Sequence, residues 1–262
     1  MLELARIETQ KGVGGRVWSG TATDGLVLGL ARTNEELESI QRLRYTVFTQ
    51  EMNAVFPNAT DGLDSDRFDP WCEHLMVRDL RTDMVVGTYR ILTPANAIKA
   101  GGYYSESEFD LSALGDNLKN IVEVGRSCTH PDHRSGSVIM LLWSGIAKFV
   151  ESAGFRHVLG CASVSLRDDG VTAAEVWRAA NRMMANYPDL PRLVPWHRYP
   201  VERLDSDLPA RIPPLIKGYM RLGARVCGDP AWDPDFNTAD FPVLLDVTTM
   251  DQRYRRHFGM AE

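Results

Sequence analysis

The chain has 262 residues, 44% of them hydrophobic and 24% charged, with a formal net charge of −6. That is the make-up of a globular protein able to bury a sizeable core; it excludes a disordered chain and disfavours general nucleic-acid binding, which needs a basic face. Four cysteines (Cys72, Cys128, Cys161 and Cys227) lie far apart, two of them inside apolar strand patterns, as expected of reduced thiols in a cytoplasmic protein rather than a disulfide framework.

Residues 1–20 are Gly-rich and weakly patterned, and are expected to be weakly ordered. Leu26 to Leu30 reads as a first strand. A helix follows with Asn34 as its cap and Glu35 and Glu36 in its first turn, where carboxylates suit the helix dipole. Its apolar stripe is Leu37, Ile40, Val47 and Phe48. Arg44 lies seven residues after Leu37 on that stripe, so its guanidinium points inward unless it snorkels along the helix edge. The loop "DGLDSDRFD" carries Asp61, Asp64, Asp66 and Asp69, but Phe68 takes the fifth place of a calcium loop counted from Asp64, which excludes that motif. Strands are predicted over His74 to Asp79 and Val85 to Leu92, joined by a turn of hairpin length, with Arg90 near the end of the second.

The next stretch, "IVEVGRSCTHPDHRSGSVIMLLW", runs from Ile121 to Trp143 and raises a physical problem. Glu123 and Arg126 lie in an apolar strand, where charge is costly unless paired. Being three apart they would face opposite sides, but a β-bulge at Gly125 would turn both to one face and free backbone N–H groups for an oxyanion. The turn Ser135-Gly136-Ser137 then enters a helix N-terminus, a place that favours a phosphate. That helix, Val138 to Ala153, is apolar except along Ser144, Lys148, Glu151 and Ser152, and must be buried against a sheet; Gly154 is its natural end. Its most apolar part, Val138 to Val150, falls short of the ~20 residues of a membrane span and is interrupted by Lys148. No basic start leads into a signal segment.

"HVLGCASV" is a buried strand, followed by a helix around Glu175 to Asn186. The Pro-rich stretch 188–214 is a loop with one short strand. Pro213 and Pro214 open a last helix through Leu222, and Phe241 to Val247 is a final strand. This order makes an α/β domain with a mixed sheet and helices on both faces, a single unit over residues 21–250. The tail 251–262 sets Arg253, Arg255 and Arg256 beside Tyr254 and Phe258, suiting either reversible contact with the inner membrane or a solvated end.

A bulged strand leading into a phosphate turn suggests thioester chemistry, and here the chain resembles the GNAT acyltransferase superfamily. "RSGSVIMLLW" stands at that superfamily's pyrophosphate loop and long helix, and Tyr219 lies four residues before Gly223 in "LIKGYMRLGARV". Closer still, "LRYTVF", "DGLDSDRFD", "VVGTYRIL", "SEFDL", "VEVGRSCTHPDHR", "GCASV" and "LIKGYMRLGA" together resemble the ornithine N-acyltransferases of ornithine-lipid synthesis. A more distant likeness is to acyl-homoserine-lactone synthases. The resemblance spans Arg42 to Asp240.

It implies transfer of a 3-hydroxylated or plain fatty acyl group from an acyl carrier protein thioester to the α-amino group of L-ornithine. His133 and Val138 depart from the superfamily's usual loop residues. That favours the phosphopantetheine of acyl carrier protein, with one phosphodiester, over coenzyme A, and no tightly bound cofactor is expected. Glu123 is the candidate base for the amine, or else a buried ion-pair partner of Arg126 or Arg44. The resemblance makes Arg126 and Arg44 organisers of the site and Tyr219 the acid for the departing thiolate, against a helix tyrosine that merely packs. Arg44, Asp64, Asp66 and Arg90 are assigned to the acceptor, with loop solvation or N-capping the alternative for the two aspartates. Phe48, Phe109 and Trp143, together with Ser127, Cys128, Arg134, Gly136, Ser137 and Ser163, are assigned to the acyl and pantetheine arm. No metal is expected: Cys128, His130 and His133 lack a fourth ligand, and Cys161 has no partner histidine for a nucleophilic role. Rival readings are an N-acyl amino acid or acyl-homoserine-lactone synthase with another acceptor, and a non-catalytic acyl-carrier-binding regulator.

Overall fold

A computed structural model describes residues 11–12, 15–16, 22–23, 25–56, 61–203, 211–258 and 260. The expectation for residues 1–20 lies outside these, apart from Lys11–Gly12 and Gly15–Arg16, which pair antiparallel. Among the described residues the strands of the main sheet are β1 (Ala22–Thr23), β2 (Leu26–Leu30), β3 (Glu73–Asp79), β4 (Met84–Leu92), β5 (Ile121–Thr129), β6 (His157–Ser165), β7 (Arg225–Val226), β8 (Ala231–Asp233) and β9 (Thr238–Asp246). They form one sheet in the order β7-β9-β6-β5-β4-β3-β2-β1, with β8 also on β9. All neighbours are antiparallel except β5 and β6.

Alternation along the strands buries both faces. On β3, Leu75 and Val77 join the core under α3 (Ser137–Ala153), while Met76 joins the opposite core under α1 (Asn34–Met52). α3 is the buried helix its apolar surface demanded, and Gly154 ends it in a left-handed conformation. α1 is capped one residue earlier than expected. The Thr33 side chain accepts from the Glu36 N–H while Glu36 reaches back to the Thr33 N–H, a reciprocal pair that Asn34 does not make. The short α2 (Pro94–Ala100) follows β4, and α4 (Val171–Met184) and α5 (Pro214–Leu222) cover β6 and β9. The expected short strand in the Pro-rich stretch is Val194–Pro195, paired with Phe109–Asp110.

Two irregularities position everything that follows. β5 and β6 pair over only three positions, Ile121 to Glu123 against His157 to Leu159, and then separate. Beyond Glu123 the facing backbone edges have no strand partner, so a wedge opens inside the sheet. Gly160 sits at its apex, where a Cβ would come within 2.7 Å of the Val124 carbonyl oxygen. The second irregularity is the bulge. Thr88 and Arg90 of β4 pair with Cys128 and Gly125 of β5, so β5 carries one extra residue. The residue that takes the left-handed conformation is Arg126 itself, with φ 51°, and not the neighbouring glycine.

The C-terminal segment is not a solvated end. Gln252–His257 forms the short helix α6, and Phe258 and Met260 are buried in the core under α3. Phe258 therefore has no free face for a membrane. Removing its ring should cost about 3–5 kcal/mol, as for other fully buried phenylalanines; urea unfolding of Phe258→Ala measures this, and wild-type stability would show that the segment adds nothing to the core.

Candidate active site

Three of the four aspartates in the loop between α1 and β3, Asp64, Asp66 and Asp69, are met by three arginines from three different elements. Arg44 on α1 is completely buried and grips Asp69 with two parallel hydrogen bonds of 3.2 and 2.7 Å. Its Nε lies 3.0 Å from Asp64, whose backbone carbonyl also accepts from the guanidinium. Arg90 on β4 donates to both oxygens of Asp66 at 2.7 Å and to Asp69 at 2.9 Å. Arg126 on β5 reaches Asp66 at 3.3 Å and stands 3.6 Å from Asp64. Gln41 and the ring of His74 complete the surroundings of Asp69. Burial alone would push the Asp69 carboxyl up, but the charges and hydrogen bonds of Arg44 hold it well below the ordinary carboxylate range.

This network corrects two expectations. Asp64 and Asp66 are paired with arginines and line neither of the two chambers that the wedge opens into, which is not the placement expected of groups that receive an acceptor's ammonium. Arg44, enclosed in the same network, lines neither chamber, so it is not placed to touch an acceptor there.

The wedge between β5 and β6 opens into two adjoining chambers. One is polar and is lined by Arg90, Tyr104, Glu123, Arg126, Asp233 and Asp240 among others, with Phe48, Ser127 and Ser163 also on its wall. The other is apolar, with about 690 Å³ of empty space partly open to solvent, and runs between α3, α5 and the C-terminal segment past Trp143, Ile146, Val150, Leu245, Met250 and Phe258. Tyr89, Val124, Cys161, Ala162 and Tyr219 belong to both. The hydroxyls of Tyr89 and Tyr219 are 2.8 Å apart at this junction. Tyr219 reaches it because α5 presents Gly218 to Trp143, where a Cβ would lie 2.4 Å from the indole.

Glu123 makes no ion pair with Arg126 or Arg44. Its carboxylate accepts from the backbone N–H groups of Tyr104 and Ser105, each at 2.8 Å, and from the Ser105 hydroxyl at 2.6 Å. Burial raises its proton affinity, and these three donors only partly offset that. Arg126 instead lies over the rings of Phe236, 4.4 Å away, and Tyr104, 5.4 Å away. The Cys161 thiol is pushed well above its ordinary range by burial and then by the charges of Glu108 and Asp240, the opposite of what a thiolate nucleophile needs.

The remaining predicted residues scatter. Phe109 is fully buried in the core beside α2, and Cys128 is buried in the core under α1; neither lines a chamber. Arg134 is half-exposed and pairs with Glu51. Gly136 is left-handed at φ 98° and leads into Ser137 at the start of α3. His130 caps its own turn and His133 bonds Asp79, so they do not gather with Cys128. Among the described residues the group able to converge on a cation is Glu108, Asp233 and Asp240. Sequence reasoning passed over these three, as it did Tyr89, Tyr104, Ser105 and Phe236. Of the quoted motifs, "SEFDL" contains Glu108 and "VVGTYRIL" contains Tyr89, but neither residue was singled out.

A parallel strand pair that splays beside a bulge, under a long apolar helix, defines a GNAT-type acyltransferase, and residues 43–144 match the acetyltransferase (GNAT) domain family. Solved structures agree on the fold. An N-acyl amino acid synthase from uncultured soil microbes superposes with a TM-score of 0.54 at 10% identity, over 88% of this chain and 94% of that one. A CoA-dependent acyl-homoserine lactone synthase gives 0.51 at 17% identity, over 87% and 84%. The sequence relatives are closer. The L-ornithine N(alpha)-acyltransferase of Rhodobacter capsulatus is 33% identical over 87% of this chain and 93% of its own length. That of Agrobacterium fabrum is 35% identical, over 88% and 84%. The chain belongs to the L-ornithine N(alpha)-acyltransferase family.

The arginine–aspartate network should dominate the acid side of stability. Asp69 has a lowered folded-state pKa, so its contribution is complete above the unfolded value near 4 and is lost as pH falls toward the folded value. Asp69→Asn should lose about 3–5 kcal/mol at pH 7, since two buried arginines lose a shared charge. The gap to wild type should narrow below about pH 4, where wild type itself weakens. Urea unfolding at several pH values tests this, and a gap independent of pH would refute it.

Proposed function

We propose that the protein moves a fatty acyl group, 3-hydroxylated or plain, from the thioester of an acyl carrier protein to the α-amino group of L-ornithine, giving a lyso-ornithine lipid. The single observation that carries this is the meeting of an apolar chamber and a charged one at the splayed strands. One suits a long alkyl chain and the other a zwitterionic amine, and a thioester at the junction touches both. The relatives' shared name supplies the acceptor.

In this reading the amine nitrogen attacks the thioester carbon, the C–N bond forms, and the C–S bond breaks. Glu123 takes the amine proton, directly or through one water. Its Oε2 accepts only one hydrogen bond, from the Tyr104 N–H, and keeps a lone pair for the task. Backbone N–H groups along the unpaired edge of β5 receive the developing oxyanion. Tyr219, held by Tyr89, returns a proton to the departing sulfur. Burial raises the Tyr219 hydroxyl well above its ordinary pKa, but a thiolate in the same dry junction is made more basic by the same desolvation.

Arg126 faces the acceptor's carboxylate, and Arg90 holds the loop beneath it. The turn Arg134 to Ser137 receives the single phosphodiester of phosphopantetheine. Carrier protein is the donor and no cofactor is held between turnovers. The protein works in the cytoplasm, with at most a peripheral membrane contact; among the described residues no helix is long and apolar enough to cross a membrane.

Glu123→Gln should lower acyl transfer by about 10²–10⁴-fold, the usual worth of a general base, with little change in melting temperature. Near-normal turnover of a folded variant would remove Glu123 from the mechanism. Acyl carrier protein should give a higher kcat/KM than the coenzyme A thioester of the same chain, and rising salt should lower it, because carrier proteins are acidic. A higher kcat/KM with the coenzyme A thioester would refute the donor assignment.

A further inference from the structure

Three carboxyl groups converge at the polar chamber without a cation to balance them. Glu108 follows the turn that caps Glu123, Asp233 ends β8, and Asp240 lies on β9. Each offers an oxygen within 4.8 Å of the others. Asp240 is 3% exposed and its Oδ1 has no hydrogen-bond partner; both oxygens of Glu108 are buried and equally unpartnered. Asp233 and Asp240 line the chamber itself. Among the described residues no arginine, lysine or histidine forms an ion pair with any of the three. Arg126 exerts a favourable field on Asp240, but its ion pairs are with Asp64 and Asp66.

The contrast with the loop of Asp64, Asp66 and Asp69 is physical. There each carboxylate is met by a guanidinium. Here burial, followed by the negative charge of the neighbouring carboxylates, pushes Glu108 and Asp240 well above the ordinary range. Such a group is relieved by keeping a proton or by a cation that arrives from outside and displaces it.

The chamber states what kind of cation fits. Arg126, on the same chamber, has an Nε–H that makes no hydrogen bond, so a positive wall and a negative wall share one cavity. That is the complement of a molecule with a carboxylate at one end and an ammonium at the other. A tetrahedral ammonium with N–H···O bonds of about 2.8 Å sets its acceptors about 4.6 Å apart, within the spread of these oxygens. We propose that Glu108, Asp233 and Asp240 bind the distal ammonium of a dibasic amino-acid acceptor while Arg126 takes its carboxylate, which leaves the α-amine toward Glu123. This rests on the acceptor reading above and adds the residues that select for the second charge.

The test is steady-state acyl transfer by the full chain to ornithine and to norvaline, which lacks only the distal amine. Wild type should prefer ornithine by about 100-fold or more in kcat/KM, because norvaline leaves the buried carboxyls unpaired. Asp240→Asn, Glu108→Gln and Asp233→Asn should each lower that preference at least tenfold, mainly through a higher KM for ornithine. Asn at 233 keeps the oxygen that caps the Asp235 and Phe236 N–H groups, so this variant remains informative should a buried one fail to fold. Unchanged preference in folded variants would overturn the inference and leave the ornithine reading standing. Equal wild-type turnover of ornithine and norvaline would overturn both. Loss of the preference in EDTA and its return with Mn²⁺ would also overturn it, in favour of a metal site.

Discussion

The two parallel hydrogen bonds between Arg44 and Asp69 are the constraint on which the rest of the site hangs. A fully buried guanidinium is tolerable only when its charge is matched and its N–H groups are used, and here one irregular loop does both. The same carboxylate is shared with Arg90 of β4, and the next aspartate links Arg90 to Arg126 of β5. One loop, regular only in a single 3-10 turn over Asp69–Trp71, thereby fastens a helix to two strands of the sheet. Because a bidentate pair has a fixed geometry, the fastening sets direction as well as distance. Arg126 enters the chamber where it does because its other contacts are already taken.

Against this anchored side stands the opening in the sheet. Parallel strands that stop pairing after three positions expose backbone and make room at once. The bulge in β5 compounds the effect: a left-handed arginine turns the chain so that Glu123 and Arg126 face one cavity. Opposite charges placed so close would be expected to pair, and they do not. Glu123 is satisfied by a turn of backbone N–H groups and Arg126 by aspartates and aromatic rings. Each charge keeps its own support, so neither is consumed by the other.

Much of the architecture was legible in the residues, because long apolar periods leave few alternatives. The strands at Leu26–Leu30 and His157–Ser165, the buried helix before Gly154 and the helix ending at Leu222 all follow from such patterns. So did the inward course of Arg44, which shares a stripe with leucine and valine. Partnerships were not legible. Spacing shows that Asp64 and Asp66 are acidic but not that arginines already hold them. The donors to Glu123 are backbone groups of Tyr104 and Ser105, and a backbone N–H carries no side-chain signature. Glu108 lies more than a hundred residues before Asp233 and Asp240, and it meets them because β8 and β9 fold back across the wedge. Phe258 was misread for a related reason: a short basic segment looks solvated until the core that receives Phe258 and packs against Tyr254 is known.

That segment has a consequence for how such proteins diversify. The far wall of the apolar chamber is built in part by Val247, Met250 and Phe258, which come from the last stretch of the chain, while the charged groups come from strands and loops laid down earlier. Depth on one side and chemistry on the other are thus written in separate parts of the polypeptide. On the proposed reading, exchange of a methionine or a phenylalanine near the C-terminus would change the depth of the chamber without touching the charged groups. Acyl-chain preference and acceptor chemistry would then be separable by substitution, because no terminal residue of this wall lines the charged chamber.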